Sequence, residues 1–321
     1  MEPYQQLEKA IEAKFKVPNV VACSSGTAAL HLALESLRLP QGSKVIVPDL
    51  TMIACARAVT LAGLTPVFVD CGDDLLMDDG EPFGNATVEP YSAFMAVHVY
   101  GRQMDMDWIA STAGVYHPMI EDMAEAPNLR PHPETCAACY SFYRNKIVHG
   151  EEGGAVSFLQ EEHADLARQL RSLGFTSKHD FMHLPRGHNY RMSNLHAVPI
   201  IDSLNRLDAN LYLRQLVEQW YIRETPPEWL MPPRQSPWVY DIRIPGMDYQ
   251  KQDALVKYLW DNGVSARHCF KPMSVQPEYQ RMPQSPNAVR LSQEVLYMPI
   301  EPEMPCDRVK KNMNTVKAFF G

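Results

Sequence analysis

Val20-Val21-Ala22-Cys23-Ser24-Ser25-Gly26-Thr27-Ala28-Ala29-Leu30 reads as a short apolar strand that breaks into a helix. Leu30, Leu34 and Leu37 recur after the junction at helical spacing, and Ser24 or Ser25 is placed to cap the helix start. The same alternation continues outward, with strands expected at 44–47, 66–70, 93–99, 115–121 and 138–142 and helices between most of them. That order predicts an α/β fold, a mostly parallel sheet flanked by helices on both faces. Beyond it, a long helix is expected over 194–222, a strand over 238–244, and helices over 249–262 and 306–320. Thr225-Pro226-Pro227 and Pro232-Pro233 interrupt the chain, so the reading divides it into a large domain, 1–222, and a smaller C-terminal α+β domain, 223–321.

The 321 residues carry a net charge of -8, which opposes nonspecific contact with nucleic acid or an anionic membrane, so neither is an expected partner. No apolar run approaches membrane length and the first residues lack a signal-type apolar stretch, from which a cytoplasmic location is expected. Seven cysteines, an odd number, point to reduced thiols rather than a disulfide frame, and Asn85-Ala86-Thr87 is then an idle sequon. The acidic, turn-rich stretch 71–91 is expected to be an exposed connection. Cys136-Ala137-Ala138-Cys139 lies in a strand pattern, where positions three apart point to opposite faces. The eleven histidines show no ligand spacing, so no metal is expected, and His98 reads as a satisfied strand histidine.

Lys146 stands in Ser141-Phe142-Tyr143-Arg144-Asn145-Lys146, followed by Gly153-Gly154 and preceded by Glu121-Asp122. An isolated lysine is usually a surface group, but this ordered set reads as a site for pyridoxal 5'-phosphate. Such a cofactor needs an amine to hold its aldehyde as a Schiff base, a carboxylate to keep its pyridine nitrogen protonated, and hydroxyls or backbone N–H groups for its phosphate. Lys146 supplies the amine and Asp122, ending an apolar strand pattern, the carboxylate. Ser25, Gly26 and Thr27 at a strand-to-helix junction, with Ser141, supply the phosphate seat, although capping alone would also explain the hydroxyls.

Seven stretches in order carry a resemblance to a known family: 24–31, 45–48, 66–70, 97–101, Ile120-Glu121-Asp122, the Lys146 segment, and Asn189-Tyr190-Arg191-Met192-Ser193. Together they resemble the DegT/DnrJ/EryC1/StrS family of nucleotide-sugar aminotransferases, which are pyridoxal phosphate enzymes of fold type I. Arg267, Phe270, Lys271-Pro272-Met273 and Gln276-Pro277-Glu278-Tyr279 resemble its GDP-perosamine synthase branch. The resemblance implies that Lys146 holds the cofactor and shuttles a proton, with Asp122 at the pyridine nitrogen and Glu125 near the phenolic oxygen. It implies Met52 on the cofactor face, Arg267 and Lys271 toward the substrate, and Asn189 reaching the phosphate of a neighbouring subunit, hence a homodimer with shared sites. The implied reaction moves an amino group from L-glutamate to a keto-sugar nucleotide, with a GDP-linked 4-keto-6-deoxyhexose the specific expectation. Decarboxylation or other Cα chemistry, or a non-catalytic regulatory role for the bound cofactor, are the alternatives. Departures from the family pattern are Met52 in place of an aromatic ring, Ile200 and Ser203 in place of glycine and glutamine, an abbreviated 71–91 connection, and a later start than typical members.

Overall fold

The structure, a computed structural model, describes residues 1–78, 93–113, 117–176 and 181–321. Strand β1 (Val20–Cys23) is buried along its whole length and breaks at Ser25, whose hydroxyl accepts the Ala28 N–H and caps helix α2 (Gly26–Ser36). Strand and helix then alternate through β2 (Lys44–Pro48), α3 (Ile53–Leu61), β3 (Thr65–Val69), β4 (Ala93–Val97), α4 (Met106–Ala113), β5 (Met119–Asp122), β6 (Ala137–Ser141) and β7 (Gly154–Phe158). Helix α1 (Pro3–Phe15) precedes them, and α5 (Glu161–Leu170) follows.

Among the described residues these strands form one sheet in the order β1-β7-β6-β5-β4-β2-β3. The pairs among β2 to β6 are parallel, whereas β7 runs antiparallel to both β1 and β6. The mostly parallel sheet flanked by helices is therefore present. Strand β7 is absent from the sequence expectations, because its five residues include one glycine and follow another and so carry a weak pattern. The expected long helix is two, α6 (Asn194–Asn205) and α7 (Leu207–Glu224), which meet at Arg206 in a non-helical conformation. The stretch 71–78 departs from the exposed connection expected of it: Cys71, Leu75 and Met77 are buried. Residues 79–92, including the sequon at Asn85, lie outside the described residues, as do 115 and 116 of one expected strand.

A smaller antiparallel sheet, β8-β10-β9, is made from β8 (Tyr240–Arg243), β9 (Arg267–His268) and β10 (Val295–Met298). Helices α8 (Tyr249–Asp261), α9 (Pro286–Glu294) and α10 (Cys306–Ala318) accompany it. Its apolar cluster takes in Val217 and Tyr221 of α7, so that helix contributes to the second core. Trp238, Cys269, Leu291 and Val295 pack instead into the core of the large sheet.

Two carboxylates at the carboxyl ends of β2 and β3 tie the sheets together. Buried Asp49 accepts from the Ser274 N–H and hydroxyl, both at 2.7 Å, and Asp70 accepts the N–H groups of Asn287 and Ala288 at the start of α9. A carboxylate on the first N–H groups of a helix satisfies orphan donors and complements the positive end of the dipole. All seven cysteines are free. No helix among the described residues is long and apolar enough to cross a membrane.

Candidate active site

Parallel strands present their carboxyl ends on one side of the sheet, and a crevice there is where open α/β sheets hold ligands. A cavity of about 490 Å³ lies on that side. Ser25, Gly26, Thr27, Met52, Asp122, Glu125, Ser141 and Lys146 all line it, together with Trp238, Phe270 and Tyr297 from the C-terminal part of the chain. A larger cavity of about 790 Å³ opens where β6 begins and β7 ends, near Lys16, Arg130 and His132. None of the eight residues just named lines it, so the smaller cavity is the candidate site.

Its floor is a close approach of three backbones. A Cβ on Gly26 would stand 2.7 Å from the Ser141 Cβ, and a Cβ on Gly154 would stand 2.3 Å from the Ser25 carbonyl. Only glycines let the start of α2, the end of β6 and the start of β7 meet this tightly. The result is a cradle with the first N–H groups of an eleven-residue helix and the hydroxyls of Ser25, Thr27 and Ser141 beside it. Helix N-terminus and hydroxyls together suit a phosphate.

Asp122 ends β5 and is buried; its Oδ1 accepts the Ala124 N–H at 2.9 Å and its Oδ2 accepts the Cys55 thiol at 3.2 Å. Burial, reinforced by the Asp122 charge, pushes the Cys55 thiol well above its ordinary value, so it stays a donor. Cys55 is a contact that the sequence did not single out, since it arrives from α3.

Lys146 Nζ lies 3.6 Å from Glu125 Oε1 and 3.9 Å from the centre of the Trp238 ring, whose Nε1–H donates to the Asn145 carbonyl at 2.8 Å. Carboxylate and indole face thus hold the ammonium from two sides. Glu125 Oε2 accepts the Tyr100 N–H at 2.7 Å. That N–H is aimed by an unusual turn: Tyr100 has φ 52, a left-handed conformation, and Gly101 with φ 82 passes so close to the Ser236 carbonyl that no Cβ fits. Burial pushes the Glu125 carboxyl up to about 7, with Asp122 adding to the rise and Lys146 and the Tyr100 N–H opposing it.

The Lys146 loop is backed by α6. Ile200 fills the space above Gly150 and Gly153, and the Ser203 hydroxyl accepts the His149 N–H at 3.0 Å. The two departures in that helix are therefore packing and hydrogen-bonding partners of the loop. Met52 stands at the mouth, half exposed, one residue before α3.

Asn189, Arg267 and Lys271 are not brought to the cavity. Asn189 is exposed, the Arg267 guanidinium lies over the Trp260 ring, and Lys271 Nζ lies 3.6 Å from the centre of the Tyr249 ring. His98 is satisfied on both ring nitrogens, by Glu121 Oε2 at 2.9 Å and by the Met104 N–H at 3.1 Å. Trp238 and Tyr297 belong to no local motif; a strand pattern starting at Trp238 hinted at the first, and nothing in the sequence reading pointed to Tyr297.

The geometry fits pyridoxal phosphate: an amine and a buried carboxylate share one cavity with a phosphate cradle that side chains cannot enter. Comparison with known proteins agrees. The model of the DegT/DnrJ/EryC1/StrS aminotransferase family matches residues 2–317. The GDP-perosamine synthase of Caulobacter vibrioides is 33% identical over 86% of this chain and 78% of its own. That of Vibrio cholerae is 27% identical over 95% of this chain and 87% of its own. The solved structure of DesV from S. venezuelae is 26% identical and covers 99% of this chain and 89% of that one, with a TM-score of 0.88.

Proposed function

Because the chain belongs to the DegT/DnrJ/EryC1/StrS aminotransferase family and is thereby a pyridoxal-phosphate-dependent aminotransferase, we propose that it moves the amino group of L-glutamate to a keto-sugar nucleotide, with a GDP-linked 4-keto-6-deoxyhexose as acceptor. The observation that carries the assignment of the site is the placement of Lys146 Nζ, 3.6 Å from Glu125 Oε1, in the cavity that Asp122 and the glycine cradle share. The names of the perosamine synthase relatives support the acceptor.

Bound pyridoxal phosphate supplies an electron sink for the substrate carbon that exchanges its amino group. The protein's part is to hold it and to move protons. Ser25, Thr27 and Ser141 with the first N–H groups of α2 would hold the phosphate, Asp122 would keep a proton on the ring nitrogen, and Met52 would cover the ring face through its polarizable sulfur. Lys146 Nζ would hold the aldehyde carbon and would carry a proton to and from the reacting carbon. Glu125, with its carboxyl near neutral pH, sits within reach of that nitrogen. Trp238, Phe270 and Tyr297 close the site against water. Arg267 and Lys271, which rest over the Trp260 and Tyr249 rings outside the cavity, would have to leave those rings to contact the sugar nucleotide, and Asn189 completes the phosphate seat of the partner in a homodimer. The two-part division 1–222 and 223–321 belongs to the same proposal, with the cavity between the parts.

L-Glutamate added to the cofactor-loaded protein should bleach its visible absorption and release an equivalent of 2-oxoglutarate. Lys146→Ala should lower turnover with the keto-sugar nucleotide by roughly 10²–10⁴-fold or more. An unchanged spectrum with carbon dioxide released from another amino acid would replace transamination with decarboxylation, and retained turnover in Lys146→Ala would remove the lysine from its role.

A further inference from the structure

His31 and Glu35 stand one helical turn apart on α2, and the chain returns to them at 186–190. Glu35 Oε2 lies 2.6 Å from His188 Nε2, and Glu35 Oε1 lies 3.9 Å from His31 Nε2. One atom from each of the three side chains lies within 4.8 Å of the other two. Two of the side chains are almost wholly enclosed, His31 at 3% exposure and the Glu35 side chain at 4%.

Independent of the spacing, His31 Nε2 is buried and makes no hydrogen bond of good geometry, although the Leu61 carbonyl lies near enough to act on the ring, and such a group is costly to leave unsatisfied. The other ring nitrogen is held: Nδ1 lies 3.1 Å from the Tyr190 hydroxyl. Because the Tyr190 hydroxyl can accept as well as donate, the ring can carry its proton on Nδ1 and turn the Nε2 lone pair toward Glu35 and His188, the usual orientation of a metal-binding histidine.

We propose that His31 Nε2, the Glu35 carboxylate and His188 Nε2 form a site for a divalent transition metal, best suited to Zn²⁺, with water as the fourth ligand. Two imidazoles and one carboxylate are a common zinc donor set. Arg186 is the competing cation, its Nη1 3.5 Å from Glu35 Oε1, but its side chain is 56% exposed. It also has other acceptors at Gln41 Oε1 and the Ala62 carbonyl, so it can leave when the metal binds. The ion would pin α2, whose other end is the cradle, to the segment that carries Asn189. The histidine spacing gave no sign of it because the i, i+4 pair is His and Glu, and the third ligand lies 153 residues from Glu35.

The test is metal content and affinity, with turnover set aside. Cofactor-loaded protein stripped with chelator and titrated with Zn²⁺ against a chromophoric chelator should take up about one equivalent per chain and raise its thermal midpoint. Glu35→Gln and His188→Gln should each weaken binding by at least the roughly 10–100-fold that loss of an outer-shell partner costs, and remove the midpoint shift. Wild-type protein that takes up no Zn²⁺ in this titration overturns the proposal whether or not the variants fold. Uptake that both variants match overturns it as well, since the metal would then sit elsewhere.

Discussion

Glu125 is a carboxyl enclosed among apolar and aromatic groups, with a backbone N–H on one oxygen and the Lys146 ammonium near the other. Its folded-state value is raised from 4.5 to about 7, so between those limits the native protein binds more protons there than the unfolded chain does. The contribution of this group to stability is therefore full below about 4.5 and is lost as pH rises through about 7. Glu125→Gln keeps an acceptor for the Tyr100 N–H and stays neutral at every pH. Urea unfolding without cofactor should show the variant's stability relative to wild type rising between pH 5 and pH 8, by on the order of 3 kcal/mol at most. A difference that is flat with pH would mean that Glu125 ionises normally. The same enclosure leaves a carboxyl raised to about 7 beside Lys146. That value depends on Asp122, Lys146 and the Tyr100 N–H at once, which no stretch of sequence around residue 125 displays.

The junction of β1, α2, β6 and β7 is where the chain is least tolerant of added volume. Gly154→Ala would set a methyl 2.3 Å from the Ser25 backbone, and backbone cannot swing aside as a long side chain can. The variant should lose about 1–3 kcal/mol of stability and bind pyridoxal phosphate more weakly, because the cradle opens. Calorimetry with and without cofactor reads both, and an unchanged midpoint with full cofactor affinity would show that the junction yields. Much of this region was legible in the sequence: apolar strands that end in Ser25, Asp122 and Ser141 put chemical groups at strand ends, where an α/β sheet places ligands. Strand β7 was not, and neither was the α6–α7 break. Arg206 is no helix breaker, whereas Pro199, which is one, sits inside α6. Cys55, Trp238, Phe270 and Tyr297 reach the cavity only through packing of distant elements, which local periodicity does not encode.

One molecule does not hold all the residues assigned to the site: Asn189 is exposed and lines no part of the cavity that holds Lys146. Close by in sequence, Leu195 at 84% exposure and Val198 at 50% make an apolar strip at i, i+3 on α6, in keeping with a second copy covering that face. If Asn189 serves the partner's phosphate, a homodimer of Lys146→Ala and a homodimer of Asn189→Ala are each impaired at both sites, one in turnover and the other in cofactor retention. A mixed dimer is different. One of its sites carries both substitutions and the other carries neither. Coexpression of the two variants should therefore restore activity to roughly a quarter of wild type, since random pairing puts half of the molecules in mixed dimers with one intact site each. If Asn189 acts within its own chain, every site in every dimer keeps one defect and coexpression restores nothing. Different affinity tags on the two variants, with recovery of dimers that carry both, supply the control, because mixed dimers must form for either outcome to count. A monomer at working concentration would remove the shared site, and with it the role of Asn189.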